Sequence, residues 1–295
     1  MAEKNSLRIT NSALRIDFHT HIFPDKISAD VIEKLSRVAG IPAFTNGTLD
    51  GLKKSMDAAQ INLSVILPVA TNTHQVEKIN SSAAELNEKF FGEGIFSFGC
   101  IHPDFTNFRA ELSRVKNHGL KGIKIHPVYQ DINLDDAKFL RIFDRAAELD
   151  LIVVTHAGLD IGFPNVVRCS PQMIRHVVDE IGNFKFVAAH MGGWKNWREV
   201  LELLGNTKIF IDTAFSTGEI VPRKDTVWNS DDLKLLDAAQ FMTFVKIFGA
   251  DRILFGTDSP WSAAKTSIDF IKNLPLTADD KNKILGLNAQ KLLEL

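Results

Sequence analysis

The chain has 295 residues and a formal net charge of −2 at pH 7, with 24% charged and 45% hydrophobic residues. These values are typical of globular proteins, no apolar run reaches the roughly 18 residues that a membrane span needs, and no basic excess indicates nucleic acid as a partner. The first twenty residues lack the apolar stretch of a secretory signal and the two cysteines are too few to stabilise a secreted chain of this length, so we expect a cytoplasmic protein that binds neither membranes nor nucleic acid.

Short apolar runs recur along the chain, and each ends in polar, glycine or proline residues before a segment with helical periodicity. Runs of this kind are typical of strands buried on both faces of a parallel sheet. Because there are eight, we predict an α/β fold with one (β/α)8 TIM barrel over residues 1–295 rather than two domains. An open doubly wound sheet is the alternative, but no G-x-G-x-x-G follows the first run. The predicted strand regions are 14–21, 63–70, 95–103, 120–127, 151–158, 185–193, 209–216 and 253–261.

Two connections between these elements are long, at 24–47 and 217–231. Both follow the carboxyl end of a predicted strand, where barrel enzymes place their active-site loops. A clear helix start lies at Ser170, because serine followed by Pro171 is the pattern of a capping residue before proline in the first helical turn.

The histidines are concentrated at one kind of position. Six of the nine lie at the carboxyl ends of predicted strands, and in a barrel these ends meet at one mouth. Residues far apart in the sequence therefore become neighbours, which points to a functional site. The six are His19, His21, His102, His126, His156 and His190.

The sharpest local motif is DFHTH at 17–21. Side chains alternate along a strand, so His19 and His21 face the same side, about 7 Å apart at a rise of roughly 3.3 Å per residue. Two imidazoles at that spacing can reach one metal ion. An isolated H-x-H is also compatible with polar residues on an exposed edge strand, but the other histidines at strand ends favour a metal.

Three further residues close apolar strands at the predicted mouth: His156, His190 and Asp258. A carboxylate at such a buried position is costly unless it is paired or bound to a metal. The structural alternatives are a backbone contact for His156, a plain glycine turn after His190 and a helix cap at Asp258.

Together these motifs resemble the amidohydrolase superfamily, in particular its amidohydrolase-related branch, which also contains the aminocarboxymuconate-semialdehyde-type decarboxylases. The resemblance extends from IDFHTHIFP through FGTDSPW to the C-terminal helix. It implies that His19, His21, His156 and Asp258 bind one divalent metal ion, and that Asp258 also handles protons. It implies that His190 acts as acid or base beside the metal.

The fourth predicted strand departs from the binuclear members of this family. Lys124 and His126 share one face of it. Lys124 is open to three interpretations: a carboxylated bridge between two metal ions, a cation that holds a substrate carboxylate, or a structural lysine. We expect one metal ion, with Lys124 and His126 as substrate contacts.

Residues around the predicted mouth suggest an aromatic or acidic ligand. Trp194 and Trp261 directly follow the sixth and eighth strands and offer an aromatic wall. Arg168 lies in the loop after the fifth strand and can bind an acid. Ordinary loop packing and a surface arginine are the alternatives.

Three imidazoles and a carboxylate suit Zn²⁺ and tolerate Mn²⁺. Such a site activates water at neutral pH, so we expect a metal-dependent hydrolase of a small amide, ester or lactone. The same ligands also support non-oxidative decarboxylation of a small, aromatic carboxylic acid, and a non-catalytic binding protein is a third hypothesis. The expected partner is a small-molecule substrate, and analogy with other barrels suggests a homo-oligomer.

Overall fold

The structure is a computed structural model that describes residues 14–295. Within that range, short strands alternate with helices along the chain, and all strand pairs are parallel. The strands are β1 (Ile16–Thr20), β2 (Leu63–Ile66), β3 (Ile95–Ser97), β4 (Gly99–Cys100), β5 (Gly122–Ile125), β6 (Ile152–Thr155), β7 (Phe186–Ala188), β8 (Phe210–Asp212) and β9 (Ile253–Leu254).

The strands form a closed ring. One sheet has the order β1-β2-β3 and a second continues from β4 to β9 in chain order. The third predicted strand is interrupted at Phe98, which separates β3 from β4 but still donates its amide to β2. The ring closes through backbone hydrogen bonds of 2.8 Å from Phe18 to the carbonyl of Phe255 and from Asp258 to the carbonyl of His19. The fold is therefore the predicted (β/α)8 TIM barrel.

Alternation along the strands divides the apolar residues into two cores. The barrel interior is filled by side chains such as Phe18, Leu63 and Phe98, and the rings of Phe18 and Phe98 meet edge to face at 5.7 Å. The second core lies between the strands and the surrounding helices and includes Phe139 and Phe143. Apolar side chains therefore fill the barrel interior below the mouth.

The helices surround the ring of strands. Ser170 Oγ accepts the amide of Met173 at 3.3 Å, so the predicted helix start before Pro171 is confirmed. None of the helices in residues 14–295 combines the length and the apolar character needed to cross a membrane. The α-helices are α1 (Asp25–Ala39), α2 (Leu49–Ala59), α3 (Val76–Phe90), α4 (Phe108–Asn117), α5 (Ala137–Glu148), α6 (Pro171–Ile181), α7 (Trp197–Leu204), α8 (Ala238–Phe248), α9 (Ala264–Asn273), α10 (Ala278–Asn282) and α11 (Asn288–Leu293), with a π-helical segment at Lys283–Leu287.

The first long connection, at 24–47, contains a helix that we did not predict. Helix α1 occupies 15 of its residues. A helical period is present in this part of the sequence, because apolar residues recur every third or fourth position at Ile27, Val31, Leu35 and Val38. The second connection, at 217–231, has no helix or strand, as expected.

Two glycines with a positive φ separate the effect of close packing at the mouth from that of backbone strain. Gly158 is subject to both effects, and Gly119 is subject to strain alone. Gly158 follows β6 with a φ of +85°, and a Cβ added there would lie 2.2 Å from the amide nitrogen of Trp194. Gly119 has a similar φ of +76°, but an added Cβ would meet no atom within 4 Å.

We expect Gly119→Ala to lower the free energy of unfolding by about 1–2 kcal/mol, the cost of left-handed backbone in a residue with a Cβ. Gly158→Ala should cost clearly more, because overlap with the backbone of Trp194 adds to the same strain. Urea unfolding followed by circular dichroism measures both losses. Equal losses of unfolding free energy in the two variants would contradict the close contact between Gly158 and the backbone of Trp194.

Candidate active site

Three side chains converge at the carboxyl end of the barrel. His19 Nε2 lies 3.2 Å from His21 Nε2 and 3.4 Å from Asp258 Oδ1. His21 Nε2 lies 3.0 Å from the same Asp258 oxygen. Two imidazole nitrogens and a carboxylate oxygen at these separations are a ligand set for a divalent ion. The structure thus brings together three of the four predicted metal ligands.

The opposite nitrogens of both imidazoles are held by acceptors. His19 Nδ1 lies 2.8 Å from Asp212 Oδ2, and His21 Nδ1 lies 2.9 Å from the carbonyl oxygen of Leu67. Each Nδ1 therefore carries the proton, which leaves a lone pair on each Nε2. Two lone pairs 3.2 Å apart repel each other unless a cation lies between them. Burial and the charge of Lys124 hold the pKa of His19 well below its usual value, so a metal ion suits this position better than a proton.

Asp17 fixes the position of His19 from behind. Its Oδ1 accepts the amides of His19 at 3.2 Å and Thr257 at 3.0 Å, and its Oδ2 accepts the Thr257 hydroxyl at 2.6 Å. Burial raises the pKa of Asp17 to about 7, although the hydrogen bonds from Thr257 oppose the shift. These bonds tie β1 to the segment after β9, and so hold the ligands on the two segments together.

Asp212, at the end of β8, connects two functional side chains. Besides the contact with His19, its Oδ1 accepts the amides of His190 at 2.9 Å and Ala214 at 3.1 Å. Burial raises the pKa of Asp212 to about 6, and the neighbouring His190 and Lys124 oppose the shift. Asp212 was not among the predicted site residues, although it closes the apolar strand IFID much as Asp258 ends its own.

His190 lies beside this ligand group and faces the cavity. Its Nδ1 is 3.0 Å from the carbonyl oxygen of Ala214 and its Nε2 is 3.0 Å from His156 Nδ1. Burial lowers the pKa of His190, which is therefore neutral near pH 7. The backbone of His190 has a φ of 60° and that of Asp258 a φ of 63°. Such left-handed conformations are strained in residues with a Cβ and are concentrated at functional sites.

The fourth predicted metal ligand, His156, is separated from the other three by the imidazole of His190. It is grouped with His126 and Asp160 rather than with His19, His21 and Asp258. Its Nε2 is buried and has no hydrogen-bond partner among the described residues. Burial holds the pKa of His156 well below its usual value, so the ring is neutral and can bind a metal ion or a substrate through this nitrogen.

Lys124 reaches the same place from β5. Its Nζ lies 3.2 Å from His19 Nε2, and the side chain is fully buried. Burial lowers the pKa of Lys124 to about 8, while the carboxylates of Asp212 and Asp258 act in the opposite direction. The ammonium group is therefore available at neutral pH to hold an anion beside the metal ligands.

A stack of three rings lies next to this group. His126 stacks on Tyr129 at 3.8 Å and on His156 at 4.2 Å between ring centroids. His126 Nε2 is 3.4 Å from Asp160 Oδ2. His126, His156 and Asp160 thus form a second group of potential metal ligands beside the first. Neither Asp160 nor Tyr129 was among the predicted site residues, although Tyr129 is the chain's single tyrosine and follows the fourth predicted strand.

The cavity has a charged floor and an aromatic side. We define the floor as His19, His21, Lys124, His190 and Asp258, and the aromatic wall as Tyr129, Trp194, Phe215 and Trp261, all of which line the same cavity. The two predicted tryptophans are thus at the mouth. Arg168 is not among the lining residues: its guanidinium contacts Asp131 at 2.6 Å and Asn133 at 3.1 Å. We therefore do not place Arg168 among the proposed substrate contacts.

The sequence and the fold were compared with those of known proteins. The family model described as amidohydrolase matches residues 16–295. A search of curated proteins finds no match.

Several solved structures share the fold along almost the whole chain. The 5-carboxyvanillate decarboxylase of Sphingomonas paucimobilis is 15% identical, with a TM-score of 0.68 over 96% of this chain and 100% of the other. A dihydroxybenzoic acid decarboxylase of Polaromonas sp. JS666, with bound manganese and the inhibitor 2-nitroresorcinol, is 16% identical, with a TM-score of 0.67 over 96% and 98%. An uncharacterised TIM-barrel protein of Bordetella bronchiseptica is 18% identical, with a TM-score of 0.70 over 95% and 98%. At these identities the similarity establishes a common fold.

Asp212 is not a proposed metal ligand, but because it contacts His19, its substitution is expected to weaken metal binding. In Asp212→Asn, the amide oxygen would keep the two backbone donors, so the amide NH₂ would face His19 Nδ1. The imidazole would then carry its proton on Nε2 and lose the lone pair that a metal needs. We expect the affinity for Zn²⁺ to fall by about 10–100-fold, measured by competition with a chromogenic chelator.

The matched control is Glu111→Gln, which changes another buried carboxylate, one that contacts Asn80 and Arg114 and none of the proposed metal ligands. Its metal affinity should equal that of the parent protein. An unchanged affinity in Asp212→Asn would show that Asp212 does not set the protonation of His19.

Proposed function

This chain belongs to the amidohydrolase family, and we propose from that premise that it is a metal-dependent, non-oxidative decarboxylase of a small aromatic carboxylic acid. One observation carries the proposal: the same cavity is lined by a floor of candidate metal ligands with a lysine and by a wall of aromatic rings. A planar acid matches both surfaces, because its carboxylate needs positive charge and its ring needs apolar, flat neighbours.

The solved structures support decarboxylation over the hydrolysis expected first from the sequence. Two of the similar structures named above are decarboxylases of aromatic acids, and one of them holds manganese. Hydrolysis would use the same floor and remains the alternative that the assays below must separate. We propose one divalent ion held by His19, His21 and Asp258, with His156 completing the set, and both Zn²⁺ and Mn²⁺ suit these donors.

The residues of the floor have different proposed roles in the reaction. A bound divalent ion would supply Lewis-acid charge for the carboxylate and the oxygen beside it on the ring. Lys124 adds a second positive charge at the same end. The ring would lie along the aromatic wall, which also excludes water from the carbon that loses its carboxylate.

His190 is the proposed proton carrier. Its Nδ1 proton is donated to the Ala214 carbonyl, so Nε2 is the atom that exchanges protons with the cavity. It takes a proton from the substrate hydroxyl or from water and delivers it to the ring carbon. The bond from that carbon to the carboxylate breaks, its electron pair stays on the ring, and CO₂ leaves.

The first test of this function is a substrate panel. We expect the Zn²⁺- or Mn²⁺-loaded protein to release CO₂ from 2-hydroxybenzoic acids, and in D₂O the product should carry one deuterium at the carbon that held the carboxylate. Lactones and amides, incubated in ¹⁸O-labelled water, are the matched hydrolysis panel. Incorporation of ¹⁸O without any CO₂ from the acids would reject the decarboxylase and support the hydrolase.

A second test addresses His190. His190→Asn should lower kcat for CO₂ release by about 10²–10⁴-fold, the usual contribution of a positioned acid or base, while the protein still retains its metal. His118→Asn, at an exposed position, is the control and should leave kcat unchanged. A full rate in His190→Asn would assign the proton transfer to another group.

A further inference from the structure

The cavity extends well beyond the floor. Its volume is about 1030 Å³, at the upper end of the roughly 300–1,000 Å³ typical of pockets for drug-sized ligands. A single substituted benzene ring fills only a small part of this space. We call the outer part the annex and define it by its aliphatic lining residues, Val31, Leu35, Leu49, Ile79, Ala83 and Leu86.

The annex exists because of how three helices are placed. Helix α2 packs against α9, and α3 packs against β3 and β4, while the backbone of α1 lies farther from the other helices and strands. Both ends of α1 are nevertheless fixed: Ser28 Oγ donates to the carbonyl of Asn46 at 2.5 Å, and Trp228 Nε1 donates to the carbonyl of Ala39 at 3.0 Å. One side of α1 therefore borders the cavity and presents Val31 and Leu35 to it.

The chemistry of the annex differs from that of the floor. Its lining is mainly aliphatic, and the same helices also contribute the charged lining residues Asp25, Lys34 and Lys78 and the polar Ser82. Aliphatic walls offer water few hydrogen bonds, so an apolar group that displaces this water gains free energy. The annex is continuous with the floor, so one molecule can occupy both.

We propose that the substrate carries an extended apolar substituent, an unbranched aliphatic chain, that occupies the annex while its acidic end lies on the floor. This proposal rests on the function proposed above for the acidic end. It assigns Val31, Leu35, Ile79 and Ala83 to substrate specificity, a role separate from the chemistry at His190 and the metal ligands.

The test is a homologous series of ligands. The probes are 2-hydroxybenzoic acids with an unbranched alkyl chain, from methyl to octyl, placed meta or para to the carboxylate. Their dissociation constants are measured by calorimetry with the metal-loaded His190→Asn protein, so that the ligand is not consumed. For at least one ring position, each added methylene should lower Kd by about three- to fourfold until the annex is filled.

Two tryptophan variants on α1 locate the chain. Val31→Trp would fill the annex and should abolish the dependence of Kd on chain length. Ile27→Trp, one helical turn earlier at an exposed position that does not line the cavity, should leave the series as in the parent protein. Thermal midpoints and circular dichroism show whether both variants fold as the parent does.

Each outcome decides the proposal. A Kd that does not change with chain length at either ring position overturns it, as does a full gain that persists in Val31→Trp. A flat series in which Val31→Trp instead changes the molecular mass in solution overturns it in favour of contact with a second copy. Tighter binding of longer chains with no CO₂ released by the wild-type protein supports the annex and rejects the decarboxylase. Release of CO₂ by the wild-type protein, together with a Kd that does not change with chain length, supports the decarboxylase and rejects the annex.

Discussion

The mouth of this barrel depends on one electrostatic constraint: the lone pairs of His19 Nε2 and His21 Nε2 face each other at 3.2 Å. Neither ring can turn away, because Asp212 and the carbonyl of Leu67 hold the opposite nitrogens. Positive charge next to these nitrogens, such as the Lys124 ammonium 3.2 Å from His19 Nε2, stabilises the arrangement. The carboxylate of Asp258 and the ammonium of Lys124 both lie next to His19 Nε2. The charged groups of the cavity are therefore concentrated around the two imidazoles.

The burial of these charges depends in turn on the barrel. Apolar side chains such as Phe18 and Phe98 fill the interior below the mouth, and they remove water from beneath the ligands. Burial then lowers the pKa of His190 and of Lys124 and raises the pKa of Asp17 and Asp212. Each shift favours the neutral form, and neutral imidazoles are the form that binds a metal.

The sequence predicted the barrel, its strand regions and the histidines and aspartate of the floor, because strand ends in a parallel barrel necessarily meet. It predicted neither Asp212 as the acceptor for His19 nor the stack of Tyr129 on His126, since such contacts depend on side-chain rotamers and on neighbouring strands. It also placed Arg168 with the substrate, although the loop turns that guanidinium towards Asp131. Helix α1 was not predicted, although its apolar residues recur with a helical period, and its position over the cavity is set by tertiary contacts.

The attachment of α1 through loops has a consequence for how such a protein can change over evolutionary time. The strands, the metal ligands and the hydrogen bonds of Asp17 and Asp212 contain no residue of this helix. Substitutions along one helix can therefore reshape the outer part of the cavity without disturbing the reacting groups. The residues that select the ligand and those that carry out the reaction thus lie on different segments of the chain. A change in ligand preference can therefore occur without a change in the barrel.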